Sequence, residues 1–120
     1  MKSLIIAAHG SSIPESNEEV RNLTEQVRNL AGDTFDLVQC AFLERTEPKV
    51  DEVIDNHVNQ GVEELTLFPY LLASGRHVQT DIPRIIEDAR DRHADLTIIQ
   101  VPHLGRADGL AGLILKHVKS

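Results

Sequence analysis

Short runs of apolar residues alternate along this chain with longer segments whose apolar residues recur at helical spacing. The runs lie at about 4–8, 35–42, 64–70 and 96–101. Nearly continuous apolar character is typical of strands that are buried on both faces of a sheet. Strands that alternate with helices of about 10 to 15 residues are joined by crossovers, and crossovers produce a parallel sheet.

The first two intervening segments carry signals for the ends of helices. Ser16 and Glu19 form a Ser-x-x-Glu pattern, which predicts a capping box, and Gly32 closes the helix that follows. Pro48 stands at the start of the second helix, where a missing N–H costs nothing. We expect that helix to end near Gln60.

Different residues mark the ends of strands and helices in the second half of the chain. Pro69 is expected to end the third strand, and residues 71–79 are interpreted as a functional loop. Thr80 is predicted to cap the third helix, with Pro83 in its first turn.

A last helix should begin near Arg106 and pack through an apolar face. The residues of that face are Leu110, Ala111, Ile114 and Val118. Leu113 and Leu115 fall off this face and are either ordinary exposed leucines or a dimer contact.

The pattern predicts one α/β domain over residues 1–120, a three-layer sandwich around a four-stranded parallel sheet. The expected strand order is 2-1-3-4, as in flavodoxin-like sheets. A chain of 120 residues with 41% hydrophobic content can bury a core without disulfides or a structural metal. Because aromatic residues make up only 3% of the chain, that core must be aliphatic.

Composition excludes several classes of protein. A net charge of -7 and the absence of Trp argue against nucleic-acid binding, which needs a basic field or stacking surfaces. The single Cys40 excludes an intrachain disulfide and a cysteine-rich zinc site, and its apolar strand predicts packing. The apolar run at 4–8 is too short for a signal peptide or a membrane span. A soluble cytoplasmic protein without a membrane partner is expected.

Polar residues follow each predicted strand at the edge where open parallel sheets bind ligands. His9, Glu44, His77 and His103 come after the first, second, third and fourth strands. Imidazole is a usual ligand for cobalt, nickel, iron and zinc, and a carboxylate adds charge. Two histidines that leave coordination positions open suit a metal in transit better than a closed structural site. The other three histidines are expected in helices on solvated surface: His57, His93 and His117.

Each of these residues also has a simpler interpretation. His9 and His77 could each bond only to a neighbouring loop, and Glu44 could be a surface carboxylate. Four arginines near the same edge either are ordinary exposed residues or recognise an anionic substrate, whose carboxylates match the guanidinium fork. They are Arg45, Arg76, Arg84 and Arg106. The small residues Gly10, Ser11, Ser12 and Gly75 could likewise serve only turns or helix caps.

Five segments resemble motifs of one enzyme family in their order and spacing. They read Leu-Ile-Ile-Ala-Ala-His-Gly-Ser at 4–11, Ala-Phe-Leu-Glu at 41–44 followed by Pro48, Phe-Pro-Tyr-Leu-Leu at 68–72, Gly-Arg-His at 75–77 and Asp-Ile-Pro at 81–83. Each is weak alone, and together they resemble the class II chelatases. The resemblance is greatest to the small, single-domain sirohydrochlorin cobaltochelatases.

The resemblance implies a chelatase fold that pairs as a homodimer, since larger members hold two such halves in one chain. It also implies that His9 and His77 bind the metal and assist pyrrole deprotonation, and that Glu44 is a further active-site carboxylate. Ser11, Arg45, Gly75 and Arg76 become the expected contacts to substrate carboxylates. Ser12 stands where many relatives carry a basic residue, so one such contact is missing here.

The implied activity is insertion of a divalent metal into sirohydrochlorin, with no organic cofactor. Nickel-inserting relatives often carry a His-rich stretch, and its absence here favours cobalt, for cobalamin synthesis, or iron. Iron or nickel insertion, for siroheme or a nickel tetrapyrrole, and a non-catalytic metal or tetrapyrrole carrier are the alternatives. A histidine phosphatase would need an Arg where Ala8 stands, and a receiver-like domain would need acidic residues after the first strand.

Overall fold

The four strands form one parallel sheet in the order β2-β1-β3-β4, as the sequence predicts. The computed structural model describes residues 1–120. The strands are β1 Lys2–Ala8, β2 Leu37–Phe42, β3 Glu64–Tyr70 and β4 Thr97–Gln100. The helices are α1 Pro14–Ala31, α2 Val50–Asn59, α3 Ile82–Arg92 and α4 Leu110–Lys119. A π-helical turn at His77–Asp81 precedes α3, and a 3-10 turn at Leu104–Arg106 precedes α4.

The two faces of the sheet are covered unequally. On one face α2 and α3 bury an aliphatic core in which Ile5, Leu65 and Leu67 are fully inaccessible. The other face carries a smaller cluster around Ile6 and Phe42, which α1 covers. Side chains of β3 and β4 on that second face therefore remain partly exposed.

Helix α1 begins earlier than the predicted capping box. Ile13 is the N-cap and Pro14 the first helical residue, and no side chain caps the helix. Ser16 lies inside the first turn, so the capping-box prediction is wrong. The fixed backbone angle of Pro14 suits the first position of a helix and starts α1 without a side-chain cap. The entering loop is held by Asn17, whose side chain exchanges two hydrogen bonds with the backbone of Ser11.

Strand β3 continues through Pro69 to Tyr70, against the prediction that Pro69 ends it. The carbonyl of Leu67 accepts a hydrogen bond from Val101, so Leu67 directs its backbone groups toward β4. Pro69, two residues on, faces the same side, and β4 has already ended at Gln100. The missing N–H therefore costs no ladder bond.

The segment interpreted as a loop is partly helical. Residues His77–Asp81 form a π-helical turn that leads directly into α3, and Thr80 lies inside this turn and caps nothing. The Ile82 N–H donates to the His77 carbonyl five residues earlier. Turns of this type are rare and are frequently found at functional sites.

The last helix departs most from expectation. It begins at Leu110 rather than near Arg106, and most of its predicted apolar face is exposed. Ile114 and Val118 are 56% and 73% exposed, and α4 contacts chiefly the 3-10 turn before it. Helix α4 is present as expected, and its Leu113 lines a groove on the second sheet face with Leu4 and Phe68, but the helix leaves much of that face uncovered. None of the helices has the length and apolar character needed to cross a membrane.

His57 is buried, although it was expected on the solvated surface. Its ring is 1% exposed between α2 and the sheet. Nε2 donates to the Gln39 side-chain oxygen at 3.0 Å, and Nδ1 accepts from the Ser3 hydroxyl at 2.9 Å. Burial lowers the pKa of His57, because the protonated ring would lose its hydration. The folded protein therefore holds this histidine neutral.

The free energy of unfolding should fall as the pH is lowered from above the ordinary histidine pKa of about 6.5. Below that pH the unfolded chain binds a proton at His57 and the folded chain does not, so acid favours unfolding until the lowered pKa is reached. Urea unfolding of the native protein and of His57→Leu at a series of pH values measures this effect. The variant should be less stable at neutral pH and should depend less on pH. Equal pH dependence of the two proteins would contradict the assignment.

Candidate metal centre

The backbone beyond β1 and β2 sets the positions of two polar side chains. Leu43 donates to the Ala8 carbonyl at 2.9 Å, and Glu44 donates to the His9 carbonyl at 3.1 Å. The parallel pairing thus continues past the strands and brings His9 beside Glu44. Gly10 makes this approach possible, since its φ is +92° and a Cβ there would lie 1.9 Å from the Glu44 carbonyl oxygen.

Arg45 occupies an unusual backbone conformation directly after Glu44. Its φ of 71° lies in the left-handed region, which only Gly adopts at no cost. Its Nε lies 3.7 Å from Glu44 Oε2. One carboxylate oxygen of Glu44 therefore faces a guanidinium, and the other is left for the histidines.

The π-helical turn presents the second histidine. His77 opens this turn, and its Nδ1 lies 2.6 Å from Asp81 Oδ2. The loop before the turn is tied to the loop after β4, because Gly105 donates to the Leu71 carbonyl at 3.1 Å. A Cβ on Gly105 would come within 1.7 Å of the Leu72 carbonyl oxygen, so this contact requires glycine.

His9, Glu44 and His77 meet at one point at the carboxyl end of the sheet. Glu44 Oε1 lies 3.6 Å from His9 Nε2 and 3.7 Å from His77 Nε2. The two imidazole rings stand edge to face with centroids 4.5 Å apart. One ligand atom from each of the three residues fits within 4.8 Å of the others. The predicted convergence of these residues is confirmed as geometry.

This arrangement suits an ion that is bound and then given up. Ligand atoms on opposite sides of one transition-metal ion lie at most about 4.2 Å apart, so the cluster needs to contract by less than an ångström. The three side chains are 47%, 42% and 25% exposed for His9, Glu44 and His77. Three protein ligands on an open surface leave coordination positions for water or substrate.

The other expected site residues surround this cluster without joining it. The Ser11 hydroxyl accepts a hydrogen bond from the Ile13 N–H and thereby stabilises the turn that leads into α1. Gly75 and Arg76 are exposed, and no hydrogen bond or ion pair joins them to the three ligands. His103, whose participation was open, is 5% exposed and lies outside the cluster.

Asp81 is the site residue that sequence reasoning missed. The interpretation of residues 71–79 as a loop hid the fact that His77 and Asp81 share a helical face. Had the turn been recognised, the spacing of four residues would have indicated a contact between them.

The sequence is similar to one family model and to several characterised proteins. The CbiX family model matches residues 3–120. A sirohydrochlorin cobaltochelatase of Methanocaldococcus jannaschii is 34% identical over 95 residues, which are 78% of this chain and 64% of that protein. A sirohydrochlorin cobaltochelatase of Sulfolobus acidocaldarius is 34% identical over 92 residues, 77% of this chain and 72% of that protein. The match thus spans under two thirds of the Methanocaldococcus protein.

Solved structures share the fold. A protein of Marinobacter aquaeolei VT8 assigned to cobalamin (vitamin B12) biosynthesis as a CbiX protein has a TM-score of 0.84 and 31% identity, over 99% of this chain and 95% of that one. The sirohydrochlorin chelatase SirB of Bacillus subtilis subspecies spizizenii, solved in complex with cobalt, has a TM-score of 0.85 and 24% identity. The match covers 98% of this chain and 50% of the SirB chain.

Gly10→Ala should destabilise the folded chain by about 2 kcal/mol, because the new Cβ would force the Glu44 backbone away. In a chain of this size that loss lowers Tm by roughly 8 °C. Calorimetry measures it, with Gly112→Ala as the control, since a Cβ there meets no atom within 4 Å. An unchanged Tm for Gly10→Ala would show that Gly10 is not needed for this approach.

Proposed function

The chain belongs to the CbiX family, and on that premise we propose that it is a lyase-type chelatase that inserts cobalt into sirohydrochlorin for cobalamin synthesis. One observation carries the proposal: two imidazole nitrogens and one carboxylate oxygen converge at the open end of the sheet. The metal is a substrate in this reaction, and no organic cofactor takes part. We further propose a cytoplasmic location, to which a lone buried thiol at Cys40 is suited.

The ligand set accounts for both halves of the reaction. Insertion replaces two pyrrole protons with one divalent ion, so the site must release a metal and remove two protons. Each histidine turns Nε2 toward the shared point, and the Glu44 carboxylate offsets part of the charge of the ion. As the metal–ligand bonds break, the freed imidazole nitrogens and the carboxylate become bases within reach of the pyrrole N–H groups.

Charged groups around the centre fit an anionic macrocycle. Sirohydrochlorin is a planar ring edged by carboxylates, which guanidinium groups bind well. Arg45 lies 3.7 Å from Glu44, and Arg76, which directly precedes His77 in the sequence, is exposed. We assign these two arginines, with Ser11 and Gly75, to the substrate carboxylates. Ser12 is exposed and uncharged, so it offers a substrate carboxylate a hydroxyl and no positive charge.

Cobalt is preferred over the alternatives because the relatives at 34% identity are named cobaltochelatases. Iron and nickel remain the rival metals, since the same His and Glu ligands bind both. A carrier that binds metal or tetrapyrrole and inserts nothing would use the same ligands. Turnover separates the two functions: a chelatase converts many equivalents of sirohydrochlorin per chain, and a carrier converts none.

His9→Ala and His77→Ala should each reduce cobalt insertion by at least about 100-fold, toward the nonenzymatic rate, while the domain stays folded. Each change removes both a metal ligand and a base. The loss of sirohydrochlorin absorbance measures the rate, and circular dichroism checks the fold. His93→Ala is the matched control, because that ring bonds only to Asp55, between α2 and the end of α3. Insertion at the native rate by either site variant would contradict the role of that histidine.

We also propose that the single domain of residues 1–120 works as a homodimer. A groove of about 500 Å³ lies on the sheet face that α1 leaves open, and all of its lining is apolar. Leu4, Phe68 and Val101 form its floor, with Leu23 and Val27 of α1 on one side. Leu113 of α4 also lines this groove, whereas Ile114 and Val118 of the same helix are exposed and can enter the groove of a second copy. A reciprocal exchange of helices satisfies the twofold symmetry of a dimer.

The native protein should have twice the 13.3 kDa mass of one chain when measured by light scattering after gel filtration. Ile114→Asp with Val118→Asp should shift it toward the monomer mass, because two charges would enter an apolar groove. Leu30→Asp, which alters an 88% exposed residue of α1 outside the groove lining, is the control and should leave the mass unchanged. A native monomer, or a double variant that stays dimeric, would contradict the exchange of α4.

A further inference from the structure

We propose that Asp81 is the positioning residue of the metal centre and makes its two imidazole ligands unequal, so that His77 retains the ion while His9 releases it. The inference rests on the proposed metal-transfer function. The inference depends on a difference between the two histidines. Both rings direct Nε2 toward Glu44, but their Nδ1 atoms have different hydrogen-bond partners.

The carboxylate of Asp81 determines which nitrogen of His77 can bind a metal. An ionised carboxylate only accepts hydrogen bonds, so the Nδ1 that lies 2.6 Å from Asp81 Oδ2 must carry the hydrogen. Nε2 then presents its lone pair to the shared point, 3.7 Å from Glu44 Oε1. A carboxylate behind a histidine fixes its orientation and increases its basicity as a ligand.

His9 is held in the same tautomer by a weaker partner. Its Nδ1 lies 3.0 Å from the carbonyl oxygen of Gly10, which is neutral, and its side chain is 47% exposed. The His77 side chain is 25% exposed. A neutral acceptor and more water around the ring make His9 the poorer donor to a cation.

Asp81 serves no other contact that would explain it. It occupies the N-cap position of α3, yet its side chain makes no capping bond to that helix. Its hydrogen bond and its ion pair both go to His77 alone. The π-helical turn, in which the Ile82 N–H donates to the His77 carbonyl, places the carboxylate beside the ring.

This inequality orders the transfer of the metal. The bond from the ion to His9 Nε2 breaks first, as a bond from the ion to a pyrrole nitrogen forms. The proton that this pyrrole nitrogen loses passes to the freed Nε2 of His9. His77 and Glu44 hold the ion meanwhile. When the second pyrrole nitrogen binds the ion, its proton passes to the Glu44 carboxylate as the bond from Glu44 to the ion breaks, and the bond to His77 breaks last.

Nitrogen NMR of the metal-free protein tests the positioning without any metal or substrate. The neutral ring of His77 should be in the Nδ1–H tautomer. Asp81→Ala should shift it toward the Nε2–H tautomer, and Asp81→Asn, which keeps an acceptor oxygen, should restore much of the native signal. A native His77 signal in Asp81→Ala would overturn the proposal.

Cobalt titration then measures the inequality. Asp81→Ala should weaken cobalt affinity by about 10- to 100-fold, and His77→Ala should weaken it more than His9→Ala. The control is Asp55→Asn, because Asp55 Oδ1 lies 2.6 Å from His93 Nε2 in a second His–Asp pair, outside the centre. Native affinity in Asp81→Ala, or a larger loss in His9→Ala, would overturn the proposal.

The two proposals fail in different ways. If the native protein inserts no metal into sirohydrochlorin, the proposed function is wrong, and the tautomer and affinity measurements still decide the role of Asp81. If insertion is intact and Asp81→Ala behaves as the native protein in both measurements, only this inference is wrong.

Discussion

A backbone hydrogen bond from the Glu44 N–H to the His9 carbonyl holds the candidate site together. It extends the β1–β2 pairing beyond both strands, so the register of the sheet fixes the distance between a histidine and a carboxylate. Gly10 permits the close approach, and the left-handed backbone at Arg45 turns the chain immediately afterwards. Because backbone hydrogen bonds directly after these strands set the positions of His9 and Glu44, these two ligands are arranged before a metal arrives, as a preorganised site requires.

The same sheet leaves one of its faces unfinished. Helices α2 and α3 bury one side thoroughly, whereas α1 covers only part of the other and a groove remains over β3 and β4. Exposed apolar residues of α4 match the apolar lining of this groove. Exposed apolar patches of this kind mark interaction sites. The structure therefore has an open polar edge, where we propose that substrate binds, and an open apolar face, where we propose that a second copy binds.

The sequence predicts those features of the fold that depend on the spacing of apolar residues and on the order of the segments along the chain. Alternation predicted the parallel sheet and its order, and the residues after each strand predicted that His9, Glu44 and His77 meet. Local signals were poorer guides: the Ser16 pattern is no cap, because Pro14 starts the helix, and His57 is buried because Ser3 and Gln39 satisfy both ring nitrogens. The Asp81 contact and the projecting α4 depend on a rare turn and on tertiary packing, which periodicity does not encode.

We propose that one divalent ion binds between the two imidazole Nε2 atoms and the Glu44 carboxylate. Anomalous diffraction at the cobalt edge, from crystals of the native protein grown with Co²⁺, tests this binding most directly. We expect a single strong peak within about 2.1 Å of both His9 Nε2 and His77 Nε2, with Glu44 as a further ligand. A peak that contacts neither histidine, or cobalt bound elsewhere with these three side chains free, would contradict the proposed metal centre.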